Sequence, residues 1–494
     1  MWRQQVAWLR ILNLRRQNIL PFLLLAVFAM PVLINLAQVP VAWLDETMNL
    51  DPAVQWHLKG TFSSALWPNQ GAEQKFMCYL PLVEWFHMLN LQYLPWELFW
   101  VRLPFLLLFL LAAYSFYLLL NQVWKLHPAW SLLLLGMLLF DKAVFEILRS
   151  VRSETLELSL LSLWLFLNFK HPKHLVVPIL AGLLFMAHPK LWPAIGVGML
   201  FQLPQWWGTF RFWLAPMLFA VPTLAYFLWL DAPFAAWWQQ LQGQAAMHGA
   251  STSKLYDHVV ARYWPYFKEQ PWMPILHVCT WIPAIGLARV HGRTLQAMPA
   301  WMWMVQDLSW LLILAPHHRY LPPHHLLMYV VWAQWLVLKK LPWKKTYRWV
   351  LLPMVFLLVL PYSGRMALGI LQREERDPER VLQWLGRELP PGQHGRTLVI
   401  GHSIAHYYLL RHRDTNMHFA LEIYPQKFRF RDFDRVYYLG PGLLSAPGKA
   451  YPLPDPKYGI PESWSATYRG LVLTSVRTEA QMEALVGRYR IPYP

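Results

Sequence analysis

Residues 175–206 read LVVPILAGLLFMAHPKLWPAIGVGMLFQLPQW. All 32 residues as one helix would run about 48 Å, against a bilayer core of about 30 Å. His188-Pro189-Lys190 interrupts the run and Pro193 follows. The stretch therefore splits into two short helices that meet at one membrane face.

The rest of the chain supplies the context for that hairpin. Of 494 residues, 56% are hydrophobic and only 14% charged, with 30 Trp. Globular chains carry about 25% charged residues. Further apolar spans lie near 18–38, 98–120, 129–147, 154–169, 212–230, 273–289, 296–315, 322–338 and 349–366. With the split hairpin they predict a polytopic α-helical membrane protein of eleven transmembrane helices. Arg3, Arg10, Arg15 and Arg16 precede the first span. That span is longer than a signal-peptide core, so it reads as a retained helix.

The net charge of +17 supports the count. With the N-terminus inside, inner loops hold Lys125, Lys170, Lys173, Arg211, Arg289, Arg293 and the cluster Lys339, Lys340, Lys344, Lys345 and Arg348. No acid lies in any inner loop, as the positive-inside tendency requires. Ten spans would turn the 339–348 cluster outward. Eleven place the N-terminus in the cytoplasm and the C-terminal domain in the periplasm, on an inner (plasma) membrane protein. A nucleic-acid partner is excluded, because no basic block is interleaved with aromatics on a soluble domain. Cys78 and Cys279 form no disulfide framework or metal spacing.

Two domains follow: a membrane domain over 1–370 and a small α/β domain over 371–494. The first carries long outer loops at 39–97 and 231–272. Within the former, 51–60 and 80–94 read as amphipathic helices on the membrane surface. In the α/β domain, Asp377-Pro378 starts a helix. Thr397–Ile400, Arg435–Leu439 and Leu471–Ser475 read as strands, and Ser403–Arg411 and Thr478–Tyr489 as helices. Gly401-His402-Ser403 lacks the further glycines of a dinucleotide fingerprint.

Polar residues collect at the outer ends of the spans, where lipid does not tolerate them without reason. Asp45-Glu46 follows the first span. Arg149, Arg152 and Glu154 sit at the third-to-fourth connection. Lys190 is at the hairpin tip, Asp307 lies inside the ninth span, and His317, His318, Arg319 and Tyr320 cap it. Carboxylates beside cations suit removal of a hydroxyl proton with stabilisation of an anionic leaving group. His317, His318, His324 and His325 are adjacent or six to eight apart, not at the i, i+4 spacing of helical zinc ligands. They read as headgroup-level histidines. A metal stays unassigned: no cofactor is demanded, and a divalent cation is left open. Trp237-Trp238 is the pair placed to stack on sugar or lipid, and His248 is a further substrate-binding candidate. Both lie in the second long loop.

In order, these elements resemble those of the lipid-dependent glycosyltransferases of the C-type fold, the protein O-mannosyltransferases and the lipid A aminoarabinose transferase. The resemblance rests on Asp45-Glu46, Tyr79-Leu80-Pro81-Leu82-Val83-Glu84-Trp85, Val101-Arg102-Leu103-Pro104, Arg152-Ser153-Glu154, His188-Pro189-Lys190 and Arg319-Tyr320-Leu321-Pro322. Tyr79 replaces the family's lysine, and Lys75 stands four residues earlier. The resemblance implies transfer of a sugar from a polyprenyl-phosphate donor to a lipid, glycan or protein acceptor outside the cytoplasm, with inversion. Asp45, with Glu46, would be the catalytic pair and Asp45 the base. Lys75, Arg102, Arg149, Arg152, Glu154, Lys190, Arg319 and Tyr320 would line the donor phosphate and lipid. Trp237, Trp238, His248, Asp307 and His318 are candidates for the rest of the substrate. Rival readings are a transporter or flippase, and a polymerase or ligase, of lipid-linked saccharides.

Overall fold

The computed structural model describes residues 19–38, 42, 44–64, 66–67, 74–77, 82–147, 151–231, 234–247, 272–312, 321–340, 364, 367, 371, 376–392, 395–420, 429–441, 471–478 and 481. The first helix is α1 (Ile19–Ile34). There follow α2 (Leu44–Lys59), α3 (Leu82–Tyr93), α4 (Leu98–Leu118), α5 (Pro128–Phe140), α6 (Lys142–Ile147), α7 (Ser153–Lys170), α8 (Val176–Ala187), α9 (Trp192–Trp206) and α10 (Arg211–Leu230). Then come α11 (Phe234–Met247), α12 (Trp272–His291), α13 (Met298–Leu312) and α14 (Pro322–Lys339). The α4 segment extended to Val123 and α10 are long and apolar enough to cross a membrane. The expected span at 349–366 lies outside the described residues.

The 175–206 hairpin forms as its proline pattern requires. Helix α8 ends at Ala187, a single tight turn covers Pro189–Leu191, and α9 starts at Trp192. The His188 ring accepts from the Lys190 backbone N–H at 3.1 Å and caps the turn. Helix α9 then runs back: Trp206 Nε1 and Gln202 Nε2 donate to Pro172 O, beside the start of α8, at 3.0 and 3.4 Å.

Helices in lipid gain nothing from water exclusion, so close packing must hold them. Two glycines permit it here. A Cβ on Gly182 would lie 2.3 Å from Phe219 O, which brings α8 against the α10 backbone. A Cβ on Gly198 would lie 2.2 Å from the Trp164 ring of α7. On α10, Trp213, Met217, Val221, Leu224 and Leu228 form an exposed stripe at helical spacing, as a lipid-facing side requires.

The C-terminal domain is a four-stranded sheet, β1 (Thr397–Gly401), β2 (Met417–Ala420), β3 (Arg435–Pro441) and β4 (Leu471–Val476), ordered β2-β1-β3-β4. The first three strands are parallel and β4 is antiparallel to β3. Helices α15 (Pro378–Glu388) and α16 (Ile404–His412) accompany it. All five residues of β1 are buried, in keeping with a central parallel strand. Strand β2 is a feature the sequence reading missed. The helix expected at 478–489 falls almost wholly outside the described residues.

The two surface helices expected in the first loop need correction. Helix α2 begins at Leu44 and buries Asp51, Pro52, Ala53 and Val54. It shares one core with α3 and with Leu382, Val399, Ile404, Tyr407 and Phe419 of the α/β domain. One face of each loop helix is thus covered by protein, which their local periodicity does not reveal.

Candidate active site

Among the described residues, Glu46, Arg102, Arg152, Glu154, Lys190 and Asp307 lie toward one end of the bundle, the end of the Lys190 turn. Alternating chain direction puts the start of α4, the start of α7, the α8–α9 turn, the last turns of α13 and the first turn of α14 there.

The first contact is between α2 and α4. Arg102 Nε donates to Glu46 Oε1 at 2.8 Å and Nη2 to Oε2 at 2.6 Å. Arg102 Nη1 donates to Leu36 O at 2.8 Å, and Val151 N to Glu46 Oε1 at 3.0 Å. Neither side chain is exposed. This fork geometry suits a planar guanidinium and satisfies both buried charges. It also anchors residue 151, next to Arg152.

The second contact gathers α7 and the hairpin. Arg152 Nε and Nη2 donate to the two Glu154 oxygens, each at 2.9 Å. Lys190 Nζ lies 3.0 Å from Glu154 Oε1 and 3.1 Å from Glu157 Oε2. All four side chains are buried. Glu154 also sits in the first turn of α7, where the helix dipole favours a carboxylate. Two cations are thereby held in fixed positions by two carboxylates. Glu157 lies three residues after Glu154 and therefore on the same helix face.

The third contact lies among α12, α13 and α14. Asp307 Oδ1 meets His277 Nδ1 at 2.5 Å and His324 Nε2 at 3.1 Å. Trp281 Nε1 donates to Asp307 Oδ2 at 2.8 Å. Gln306, the next residue, donates through Nε2 to Lys190 O at 2.9 Å and joins this group to the second. On the other side of α14, His325 Nδ1 and Tyr329 Oη lie 2.7 and 2.6 Å from Asp141 Oδ2. His324 and His325 are therefore buried and bound to acids, not at headgroup level. Adjacent helical residues point about 100° apart, so each histidine meets a different carboxylate.

Most of the remaining expected residues lie outside the described residues. Asp45 stands in the first turn of α2, and its side chain is outside the described residues, as are Arg149, His248, His318, Arg319 and Tyr320. Lys75 Nζ donates to Leu230 O and Asp231 O at 2.8 and 2.9 Å, capping the end of α10. Trp237 is 4% exposed and packed among Trp192, Phe227 and Phe234, whereas Trp238 is 44% exposed.

Near the site, α3 carries a buried acid and base that the sequence reading did not single out. Burial pushes Glu84 up to about 8 and His87 down to about 3. At the domain contact, burial pushes the Asp51 carboxyl up, but His406, Gln55 and Ser64 outweigh it and hold it below the usual range. Asp51 Oδ2 accepts from Ser64 at 2.6 Å, and Oδ1 lies 3.5 Å from His406 Nε2.

No protein-family model and no curated protein matches the chain. Among solved structures, it is similar to the crystal structure of ArnT from Cupriavidus metallidurans bound to undecaprenyl phosphate. The TM-score is 0.49 at 13% identity, over 80% of this chain and 75% of that one. The apo state of the same protein gives a TM-score of 0.46 at 13% identity over the same shares. ArnT is a lipid A aminoarabinose transferase, one of the groups the sequence elements resemble.

Proposed function

We propose that the chain is an integral-membrane glycosyltransferase that moves a sugar from a polyprenyl-phosphate donor to an acceptor on the extracytoplasmic side. One observation carries the reading. Glu46 with Arg102, and Arg152 and Lys190 with Glu154, scattered over the sequence elements of the resemblance, form two buried ionic groups linked through the Val151 N–H to Glu46, one residue after Asp45. In this reading Asp45 takes the proton from the acceptor hydroxyl as the oxygen attacks the anomeric carbon. The bond to the phosphate oxygen breaks with inversion, and the departing lipid phosphate is stabilised by the cations. Glu46 and Arg102 hold the start of α2 and the residue before Arg152. The carboxylates of Glu154 and Glu157 fix Arg152 and Lys190 in advance, which lowers the reorganisation needed as charge develops. Undecaprenyl phosphate is the lipid carrier to test first.

The test is sugar transfer in proteoliposomes from undecaprenyl-phosphate sugars, in the parent and in Asp45→Asn. Loss of a positioned base lowers the rate by about 10²–10⁴-fold. Transfer by Asp45→Asn at the parent rate removes the base, and movement of the intact lipid-linked sugar without transfer favours a flippase.

A further inference from the structure

We propose that His277, Asp307 and His324 form a binding site for a divalent transition-metal ion of the zinc type, tying three membrane helices together. Each residue comes from a different helix, α12, α13 and α14. One ligand atom from each lies within 4.8 Å of the others. Two imidazoles and a carboxylate are a common donor set for zinc and its neighbours in the first transition row.

The geometry adds to the donor set. His324 Nε2 and Asp307 Oδ1 stand 3.1 Å apart, yet the ring nitrogen is not aligned to hydrogen-bond there. Ligand atoms on a tetrahedral ion with bonds of about 2.0–2.1 Å are separated by about 3.3 Å. Two donors at that spacing that do not point at each other suit a common third point. His277 Nε2 and His324 Nδ1 are also buried without a hydrogen-bond partner. His324 Nε2 likewise bears the desolvation cost of a buried nitrogen without a partner, which a bound cation offsets by taking it as a ligand.

The surroundings hold the ligands in place. Trp281 Nε1 on Asp307 Oδ2 fixes the carboxylate plane, with Oδ1 turned toward both histidines. The His324 ring stacks on His277 at 5.1 Å and on Trp303 at 5.5 Å, and His277 stacks on Trp310 at 5.1 Å. Partners of this kind orient metal ligands and tune affinity by about 10–100-fold. Gln306 then passes the position of α13 to the Lys190 backbone. An ion here would brace the hairpin that carries Lys190.

The experiment uses the full-length protein in detergent. It is stripped with a chelator, incubated with Zn²⁺, desalted and assayed for metal by mass spectrometry, with Co²⁺ absorption as a second readout. About one ion per chain is expected for the parent, with the visible bands of tetrahedral Co²⁺. Zinc should fall at least about tenfold in His277→Ala, His324→Ala and the isosteric Asp307→Asn, all eluting as monodisperse protein. His325→Ala, whose ring faces Asp141, should keep the metal. A reloaded parent without zinc, or Asp307→Asn with the parent's zinc and Co²⁺ spectrum, would overturn the site and leave the His277–Asp307 hydrogen bond in its place. Sugar transfer is not the readout, so the result is independent of the proposed activity.

Discussion

Arg102 grips Glu46 through two parallel hydrogen bonds, 2.8 and 2.6 Å long, with neither side chain exposed. Removing one partner leaves the other as an unpaired buried charge, at a cost of about 3–5 kcal/mol. Arg102→Leu and Glu46→Leu should each lower the detergent unfolding midpoint sharply. The double variant should recover part of that loss, because no charge is then stranded. Equal midpoints for a single variant and the parent would show that the pair carries no structural role.

Gly182 faces the α10 backbone. Its replacement by Ala places a Cβ against Phe219 O, and a backbone atom cannot rotate away. Separation of α8 from α10 should cost about 1–3 kcal/mol. Gly136→Ala, on α5 where a Cβ meets nothing within 4 Å, is the control and should be neutral in the same unfolding assay.

Glu84 and His87 give stability a pH dependence of opposite sign. Glu84 binds a proton more tightly folded than unfolded, since its carboxyl rises from 4.5 to about 8. Its contribution is full below about 4.5 and is lost as pH climbs through about 8. His87 falls from 6.5 to about 3, so its contribution is present above 6.5 and is lost as pH drops toward 3. Glu84→Gln should flatten the alkaline limb of a midpoint-versus-pH curve, and His87→Phe the acid limb.

Asp51 sits where α2 meets α16. Its carboxyl is held below 3.8, so the contact it makes is stable above that value and weakens as pH falls further. Asp51→Asn should loosen the α/β domain at neutral pH. Limited proteolysis would read this as faster release of a fragment beginning near residue 371, and an unchanged cleavage rate would count against the contact.

Lys75 caps the end of α10 through two carbonyls. Loss of a cation at a helix C-terminus costs about 0.3–1 kcal/mol. Lys75→Met should lower the unfolding midpoint slightly. A large rise in KM for a polyprenyl-phosphate donor would instead place Lys75 on the phosphate.

The amino-acid sequence on its own pointed to the class of protein, because long apolar runs report directly on lipid. It also determined the 175–206 break, since prolines at 189 and 193 act locally on any helix. The order of the resemblance elements marked Glu46, Arg102, Arg152, Glu154 and Lys190 as belonging together. Their pairings came only from the tertiary structure: Glu46 with Arg102 across 56 residues, Lys190 with Glu154 across 36. The histidines show the limit most clearly. The spacing of His317, His318, His324 and His325 along the chain argued against a metal, because i, i+4 counts ligands on one helix only. The cluster is built across helices, and His277 meets Asp307 thirty residues away. Helix packing decides which faces meet, and no local periodicity encodes that choice.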